Sequence, residues 1–547
     1  MTDRLVPLPL PILDRLGMAP AQIRSVQPAA RRTHCLAIVN WLTKYRAAES
    51  ANELKQVKGL VEAFYHLCAM EEWERALSLI SVRLNTPTRE MLHYQLKVWG
   101  YGSERTDIYK ALVDRGEPLW NARVFQFLGE SYYGRSNYGE AKFCYERSLK
   151  IFEEAGEEQD VGLLLGALGD VYYALGDYDR AIAHQRQCLE RVRSAGILHG
   201  EGIALGSLGN IYESKGEYAT ALSYHQQHLS IAKQTKDLEL EGAALGNIGS
   251  CLQAMGRSLE AANYHQQHLT LARRIGNRQG EGNALGGLGS ACYNLGDFRL
   301  AAEYFEQQRA IAREIGDLLG EGNALGGMGN VCFSRGEYAA ALDYHQQHLE
   351  RARSLSHKQG VLHALGNVGN AYYVIADYKQ AEGYYRQQLE LAEEIGEKLG
   401  EAILRRSGFA NALGNLGNLH QKQGEFAQAV ECYQRQLAIS VRLGDVAGEK
   451  RAVMWLGDAY EALSDYGQAV VYHERDLELA RRLGQRRDEM VALVNVANTR
   501  DELGEYGQAV DGYRQALKIA GEMNDGNGEG LITRNLEDTL RKMEGCN

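Results

Sequence analysis

Asparagine returns at fixed intervals along most of this chain. One column, with a member every 40 residues, runs Glu130, Asp170, Asn210, Ser250, Ser290, Asn330 and Asn370, then after one longer step Asn418, Asp458 and Asn498. A second column, three residues earlier, includes Asn247, Asn367, Asn415 and Asn495, and a third, four residues before that, includes Asn283, Asn323 and Asn411. Steps of three and four residues share one face of a helix. Asparagine costs up to about 0.7 kcal/mol relative to alanine inside a helix, so its repeated use there needs a reason. A side-chain amide is both donor and acceptor. A ladder of amides therefore matches the backbone of an extended peptide, whatever its side chains. The same amides can instead bond one another, or water, between adjacent repeats, and the residues alone leave both readings open. One position further along, Tyr133, Tyr173, Tyr293, Phe333 and Tyr373 are aromatic, and Trp455 stands where Asn or a small residue is expected. Aromatic side chains are common binding anchors, although packing against a neighbouring repeat accounts for the tyrosines equally well. The candidate peptide-contacting set is Asn210, Asn247, Asn330, Asn367, Asn370, Asn415, Asn418, Asn495, Asn498, Tyr373 and Trp455.

Other residue patterns promise less chemistry. His225/His228, His265/His268 and His345/His348 sit in His-Gln-Gln-His runs, at a spacing that puts both rings of a pair on one helix face. Zinc needs three or four convergent ligands, and these positions fall on the buried side, so core histidines are expected and no metal. No P-loop, HExxH, GxSxG or EF-hand pattern occurs, and GEGNALG at Gly280–Gly286 and Gly320–Gly326 lacks the spacing and the preceding strand of a phosphate loop. No catalytic residue and no cofactor are expected, and the chain does not read as an enzyme. Charge along the asparagine face is uneven: the middle is nearly neutral, whereas Asp458, Glu461, Asp501, Glu502 and Asp538 gather at one end, partly offset by Lys422 and Arg451. A bound peptide is accordingly expected to be basic at that end.

The elements that position these residues follow from the period. A turn, most often Gly-acid-aromatic, starts at Ser136, Gly176, Gly216, Gly256, Gly296, Gly336, Ala376, Gly424, Ser464 and Gly504, with every step 40 residues except one of 48. An alanine follows the aromatic position by three residues in all ten copies, from Ala141 to Ala509. Each copy reads as two helices. In one, Gly316 is a fitting C′ residue and Asp317 an N-cap, Glu321 lies in the first turn, and Leu325, Met328 and Cys332 form an apolar stripe. The second helix, Tyr338 to Leu355, buries Ala341, Leu342, Tyr344, His345, His348, Leu349 and Ala352. Such a hairpin cannot bury its face alone, so neighbours must stack. All seven prolines precede residue 119, which leaves the rest free for helix after helix.

The pattern Leu205, Leu208-Gly209, Tyr212, Gly216, Tyr218, Ala221, Tyr224, Leu229 resembles the tetratricopeptide repeat. The 40-residue variant is similar to repeats of Pins-type adaptors and kinesin light chains, and the His-Gln-Gln helices resemble those of bacterial, notably cyanobacterial-type, arrays. No Pins-type G-protein-binding motif follows. The resemblance implies an all-α, right-handed α-solenoid whose first helices line a concave groove, and in which similarly placed asparagines hold peptide backbone. The glycines at 206, 246, 286, 326, 366 and 414 lie on or beside that face. Close approach of a ligand backbone and helix–helix contact explain them equally well.

Three regions are expected: residues 1–119, degenerate helical hairpins with the first 30 or so extended; 120–525, ten repeats; and 526–547, a capping helix in register. The eight residues added by the long step fall near Ala402–Phe409 and include Arg405 and Arg406. They make either a partner contact or a tolerated insertion. A net charge of −11 opposes nucleic-acid binding. No apolar run is long enough for membrane insertion, and the N-terminus does not read as a secretory signal. Nine scattered cysteines without a CxxC pair fit a reducing cytoplasm. The expected function is a protein-interaction scaffold or adaptor that holds an extended peptide. The alternative is a regulatory sensor switched by a signalling peptide or small ligand.

Overall fold

The computed structural model describes residues 5–48, 50–86, 89–355, 357–399 and 408–545. The chain forms two compact units, Met1–Lys236 and Asp237–Asn547. Both are all-α. Among the described residues the only β pairing is an isolated bridge between Arg83 and Met91.

The first unit opens with short irregular helices and then becomes regular. Helices Ala29–Thr43, Glu53–Ala69, Trp73–Ile80, Leu92–Val98 and Gly102–Leu112 lead into three hairpins. Hairpin 1 is Pro118–Gly134 with Tyr138–Ala155, hairpin 2 is Glu158–Ala174 with Tyr178–Ser194, and hairpin 3 is Leu198–Ser214 with Tyr218–Thr235. The expectation that the first 30 residues are extended is corrected here. Pro9–Arg15 is helical and Pro20–Ser25 forms a 3₁₀ turn, each with proline in its first turn. Proline is tolerated there because that N–H has no intrahelical partner. Burial supplies the rest: Leu13 and Leu16 are 1% exposed and join the core made by Ile38, Leu60 and Phe64.

The second unit continues the hairpins. They are hairpin 4 (Leu238–Ala254, Ser258–Ile275), hairpin 5 (Arg278–Asn294, Phe298–Ile315), hairpin 6 (Leu318–Ser334, Tyr338–Ser354) and hairpin 7 (Lys358–Val374, Tyr378–Leu399). Hairpin 8 (Phe409–Gln423, Phe426–Leu443), hairpin 9 (Val446–Ala462, Tyr466–Arg482) and hairpin 10 (Arg486–Glu502, Tyr506–Met523) follow, then the helix Gly526–Gly545. The inserted segment with Arg405 and Arg406 falls largely at 400–407, outside the described residues.

The periodic residues have mechanical roles. The turn requires a left-handed residue, and Gly336 supplies it at φ 78°, while Ser136, Ala376 and Ser464 adopt φ 58°, 62° and 58° without glycine's freedom. The recurrent alanine is completely buried in every hairpin, from Ala141 to Ala509, so nothing larger fits between the two helices. Asp317 caps its helix by accepting from the Gly320 N–H at 2.9 Å. Glu321 is buried in the first turn, where Arg313 Nε at 2.7 Å and Arg351 Nε at 3.1 Å neutralise it.

Candidate functional site

The asparagine face is built on the first helices by what the second helices push against them. In hairpins 1 to 9 a glycine of the first helix faces a ring or amide of the second, whereas hairpin 10 has Ala497 at that position with Gly512 of the second helix against it. A Cβ built at Gly249 would lie 2.6 Å from His265 Cε1, and one at Gly289 would lie 2.7 Å from Phe305 Cε1. Gly129 meets Tyr145, Gly169 meets Gln185 and Gly369 meets Tyr385 in the same way. Real Cβ atoms do not approach that closely, so in these hairpins the ring and a side chain at the glycine position exclude one another. The glycines beside the asparagine face have the same explanation. A Cβ at Gly286 would lie 2.7 Å from Gln308 Nε2, one at Gly366 2.6 Å from Gln388 Nε2, and one at Gly414 2.9 Å from Trp455 Cζ3. Helix–helix contact thus accounts for them.

The residue following this position is the asparagine column, and the ring behind it fixes the amide. Tyr385 donates its hydroxyl to Asn370 Oδ1 at 2.8 Å, Tyr433 to Asn418 Oδ1 at 2.6 Å, and Tyr513 to Asn498 Oδ1 at 2.7 Å. A second bond runs between neighbouring hairpins: Asn367 Nδ2 to Asn330 Oδ1 at 3.4 Å, and Asn535 Nδ2 to Asn498 Oδ1 at 3.2 Å. In the first unit Asp170 takes the same place, accepting from Gln185 Nε2 at 2.8 Å and Ser207 Oγ at 3.4 Å. Burial pushes its carboxyl up to about 6. Asn247, Asn367, Asn370, Asn415, Asn418, Asn495 and Asn498 are all half-buried, and Asn210 and Asn330 are exposed. The structure therefore brings Asn330, Asn367, Asn370, Asn415, Asn418, Asn495 and Asn498 onto the first helices of hairpins 6 to 8 and 10. Asn247 lies on hairpin 4, and Asn210 belongs to the first unit.

The aromatic candidates are partly absorbed by packing. Tyr373 is half-buried with its ring 5.8 Å from Tyr378, and Tyr293 and Phe333 lie 5.6 and 5.5 Å from Phe298 and Tyr338. Each therefore closes the turn of its own hairpin. Trp455 is half-buried, 5.3 Å from the Tyr433 ring, and covers Gly414. Tyr385, Tyr433 and Tyr513 are the residues that the sequence reading passed over. The signal for them is a constant separation of 15 residues between asparagine and tyrosine, from the first helix to the second.

Where the ring is not tyrosine, the face changes. His265 and His345 are 3% and 1% exposed and neither Nδ1 has a hydrogen-bond partner. Burial drives both imidazoles down to about 4, as it does His225 and His348. The histidine runs are core, as expected, with Nδ1 of His265 and His345 left without a hydrogen-bond partner. Above His265 and Phe305, with Ser250 and Ser290 replacing asparagine, opens a cavity of about 610 Å³ lined also by Asn283, Gln308 and Asn323. A second cavity of about 890 Å³, at hairpins 9 and 10 and the last helix, is lined by Asp458, Glu461, Asn498, Asp501, Asp538 and Lys542. Lys542 reaches Asp501 at 2.5 Å, so the acidic end carries an internal counter-charge.

Ring packed on glycine and alanine buried between helices recur along the chain from hairpin to hairpin. A tetratricopeptide repeat sequence profile matches residues 160–234, 240–314, 320–394 and 449–522, and a second tetratricopeptide profile matches 412–447. The chain belongs to the tetratricopeptide repeat family. As such it is an interaction scaffold in architecture. No curated protein matches the chain. Among solved structures, it is similar to a Rap protein complexed with competence and sporulation factor, at 14% identity over 71% of this chain and 99% of that one, with a TM-score of 0.44. It is similar also to aspartyl phosphate phosphatase F from Bacillus subtilis, at 14% identity over 70% and 93% with a TM-score of 0.45. A third likeness is to the APC/C hetero-tetramer Cut9-Hcn1, at 14% identity over 98% and 100% with a TM-score of 0.43. Among the described residues, no helix is long and apolar enough to cross a membrane.

Proposed function

We propose that this tetratricopeptide array is a scaffold or adaptor that grips an extended peptide segment of another protein along the first helices of its second unit. The observation that carries the reading is the fixing of the asparagine amides from behind. With Oδ1 of Asn370 and Asn418 committed to Tyr385 and Tyr433, each amide plane is oriented before a ligand arrives. The N–H₂ group is then what a peptide carbonyl meets. Pre-orientation of this kind lowers the ordering cost of binding. Asn367 and Asn415 supply the next contacts on the same face, Asn495 and Asn498 extend it, and Asn330 and Asn247 continue it toward the start of the unit. Trp455 and Tyr373 offer apolar edges for side chains. The acidic cavity of hairpins 9 and 10 selects a basic residue at one end of the segment.

Selection of a random peptide library against the full chain tests this. The expected result is enriched, extended sequences with Lys or Arg at one end, whose binding weakens with salt. Equal capture of acidic and basic peptides at low salt would sink the assignment of the acidic end, and absence of any enriched peptide would sink the whole reading.

One observation favours the sensor alternative. The first unit carries a half-open cavity of about 590 Å³ lined by Pro7, Ile12, Trp41, Tyr45 and Leu60, within the ordinary range for a small-molecule site. A change in small-angle scattering on adding a short ligand supports a sensor. Tight binding of a long segment without compaction supports the adaptor.

A further inference from the structure

Hairpin 9 departs from the rule that orders its neighbours. In hairpins 7, 8 and 10 the ring is tyrosine and the column residue is asparagine, and the two are joined by a hydrogen bond. In hairpin 9 both partners are exchanged: His473 replaces the tyrosine and Asp458 replaces the asparagine. One turn along the same first helix, where seven hairpins carry Tyr, Phe or Gln and hairpins 3 and 10 carry Glu213 and Asp501, stands Glu461. Of the ten hairpins only this one combines Asp, Glu and His at the three positions.

The three side chains converge. One ligand atom from each lies within 4.8 Å of the other two. His473 is fully buried, and neither ring nitrogen has a hydrogen-bond partner. Its Nε2 is 3.4 Å from a Glu461 oxygen, which is about the separation of two ligands held at ~2.0–2.1 Å in a tetrahedral shell. Gly457 is the reason the imidazole can lie there, since any Cβ would overlap it. Thr499 donates to Glu461 and orients that carboxylate from the next hairpin. Lys450, the cation facing this hairpin from its own first helix, is engaged elsewhere, with Asp488 at 2.7 Å and Asp476 at 3.8 Å. Asp458 and Glu461 also line the 890 Å³ cavity, so the remaining side of the trio is open. One imidazole with two carboxylates suits borderline divalent ions better than a hard alkaline-earth ion, which prefers oxygen alone.

We propose that Asp458, Glu461 and His473 form a binding site for one divalent transition-metal ion of the zinc, cobalt or manganese type, with its open coordination positions facing the cavity. This goes beyond the peptide reading and does not depend on it. The two rings of a His-Gln-Gln-His pair lie on one helix; His225 of one such run also has Glu213 on the other helix, at 3.9 Å, but Asn210 stands where hairpin 9 has Asp458. Here the ligands come from both helices of one hairpin, 12 and 15 residues apart.

The test is a cobalt(II) titration of the chelator-stripped full chain, followed by visible absorption and calorimetry, with zinc as competitor. The variants are Asp458→Asn, Glu461→Gln and His473→Gln. Each installs the residue that another hairpin carries at the same position (Asn418, Gln421 and Gln185), so each is compatible with the fold. The expected result is saturable binding of one ion per chain, displaced by zinc and weakened at least tenfold in each variant, with melting of the metal-free proteins nearly unchanged. Absence of saturable cobalt binding overturns the proposal. So does binding that persists undiminished in the Asp458→Asn/Glu461→Gln double variant, or a thiolate charge-transfer band placing the ion on cysteine.

Discussion

Hairpins 4 to 6 and hairpins 7, 8 and 10 share one backbone design and solve its central contact differently. In the earlier group the first-helix glycine faces His265, Phe305 or His345, rings without a hydroxyl, and the column above them begins with Ser250 and Ser290. In the later group the ring is Tyr385, Tyr433 or Tyr513, with Gly369 and Gly417 against the first two and Ala497 at the glycine position of the third, and the hydroxyl crosses to an asparagine. The difference teaches that the asparagine column is no independent surface decoration. It is the outer end of a packing unit made of glycine, ring and amide. In hairpins 4 and 5, whose rings have no hydroxyl, the column is serine and a polar recess opens, while hairpin 6 keeps Asn330 above His345. Where the ring is tyrosine, the amide is held.

The largest expected effect is one that both groups share. Replacing Gly369 or Gly289 by alanine drives a methyl into Tyr385 or Phe305. Both rings are buried, so each variant is expected to lose about 2–4 kcal/mol of local stability. Denaturant titration and site-resolved hydrogen exchange read this. A loss below about 0.5 kcal/mol would show that the ring is free to move and would break the packing-unit account.

Acid separates the groups next. His265, His345 and His348 have folded values near 4, against an ordinary value of 6.5. The unfolded chain therefore binds more protons between those limits. Stability is fully present above pH 6.5 and is lost as the pH falls toward 4, by on the order of 2–3 kcal/mol for each buried imidazole. Hydrogen exchange at pH 7 and pH 5 is expected to show hairpins 4 and 6 loosening while 8 and 10 hold. His345→Phe, which installs the ring of hairpin 5, is expected to remove much of the change at hairpin 6. Uniform loosening of all hairpins would contradict the assignment.

The smallest effect sharpens the comparison. Tyr385→Phe keeps the ring and removes the bond to Asn370, at a cost of about 1 kcal/mol. In the earlier group the equivalent exchange has no hydroxyl to lose. If peptide binding depends on pre-oriented amides, the same variant weakens it severalfold, whereas an unchanged affinity would mean that the tyrosine serves the hairpin alone.

The sequence shows the architecture plainly because register and burial share one period. Ala341 is invariant in type and fully buried, and Gly316 and Asp317 end one helix and start the next as their chemistry requires. The site was harder to read. Asparagine periodicity is visible, but its partners lie on the other helix, so Asn418 and Tyr433 are linked only once the hairpin is closed. The same gap hid the Asp458, Glu461 and His473 trio, because a search within one helix meets His-Gln-Gln-His and passes over ligands split between two. The short helix at Pro9–Arg15 was missed because three prolines in sequence read as extended chain, while the burial of Leu13 and Leu16 that fixes it is tertiary.

The central claim is that the amides of hairpins 7 and 8 hold peptide backbone. Its most direct test replaces Asn367, Asn370, Asn415 and Asn418 by alanine together and measures affinity for a library-selected peptide by calorimetry, alongside the melt of the variant. A folded variant that binds at least tenfold more weakly, whatever the peptide's side chains, is the predicted result. A folded variant with unchanged affinity would contradict it.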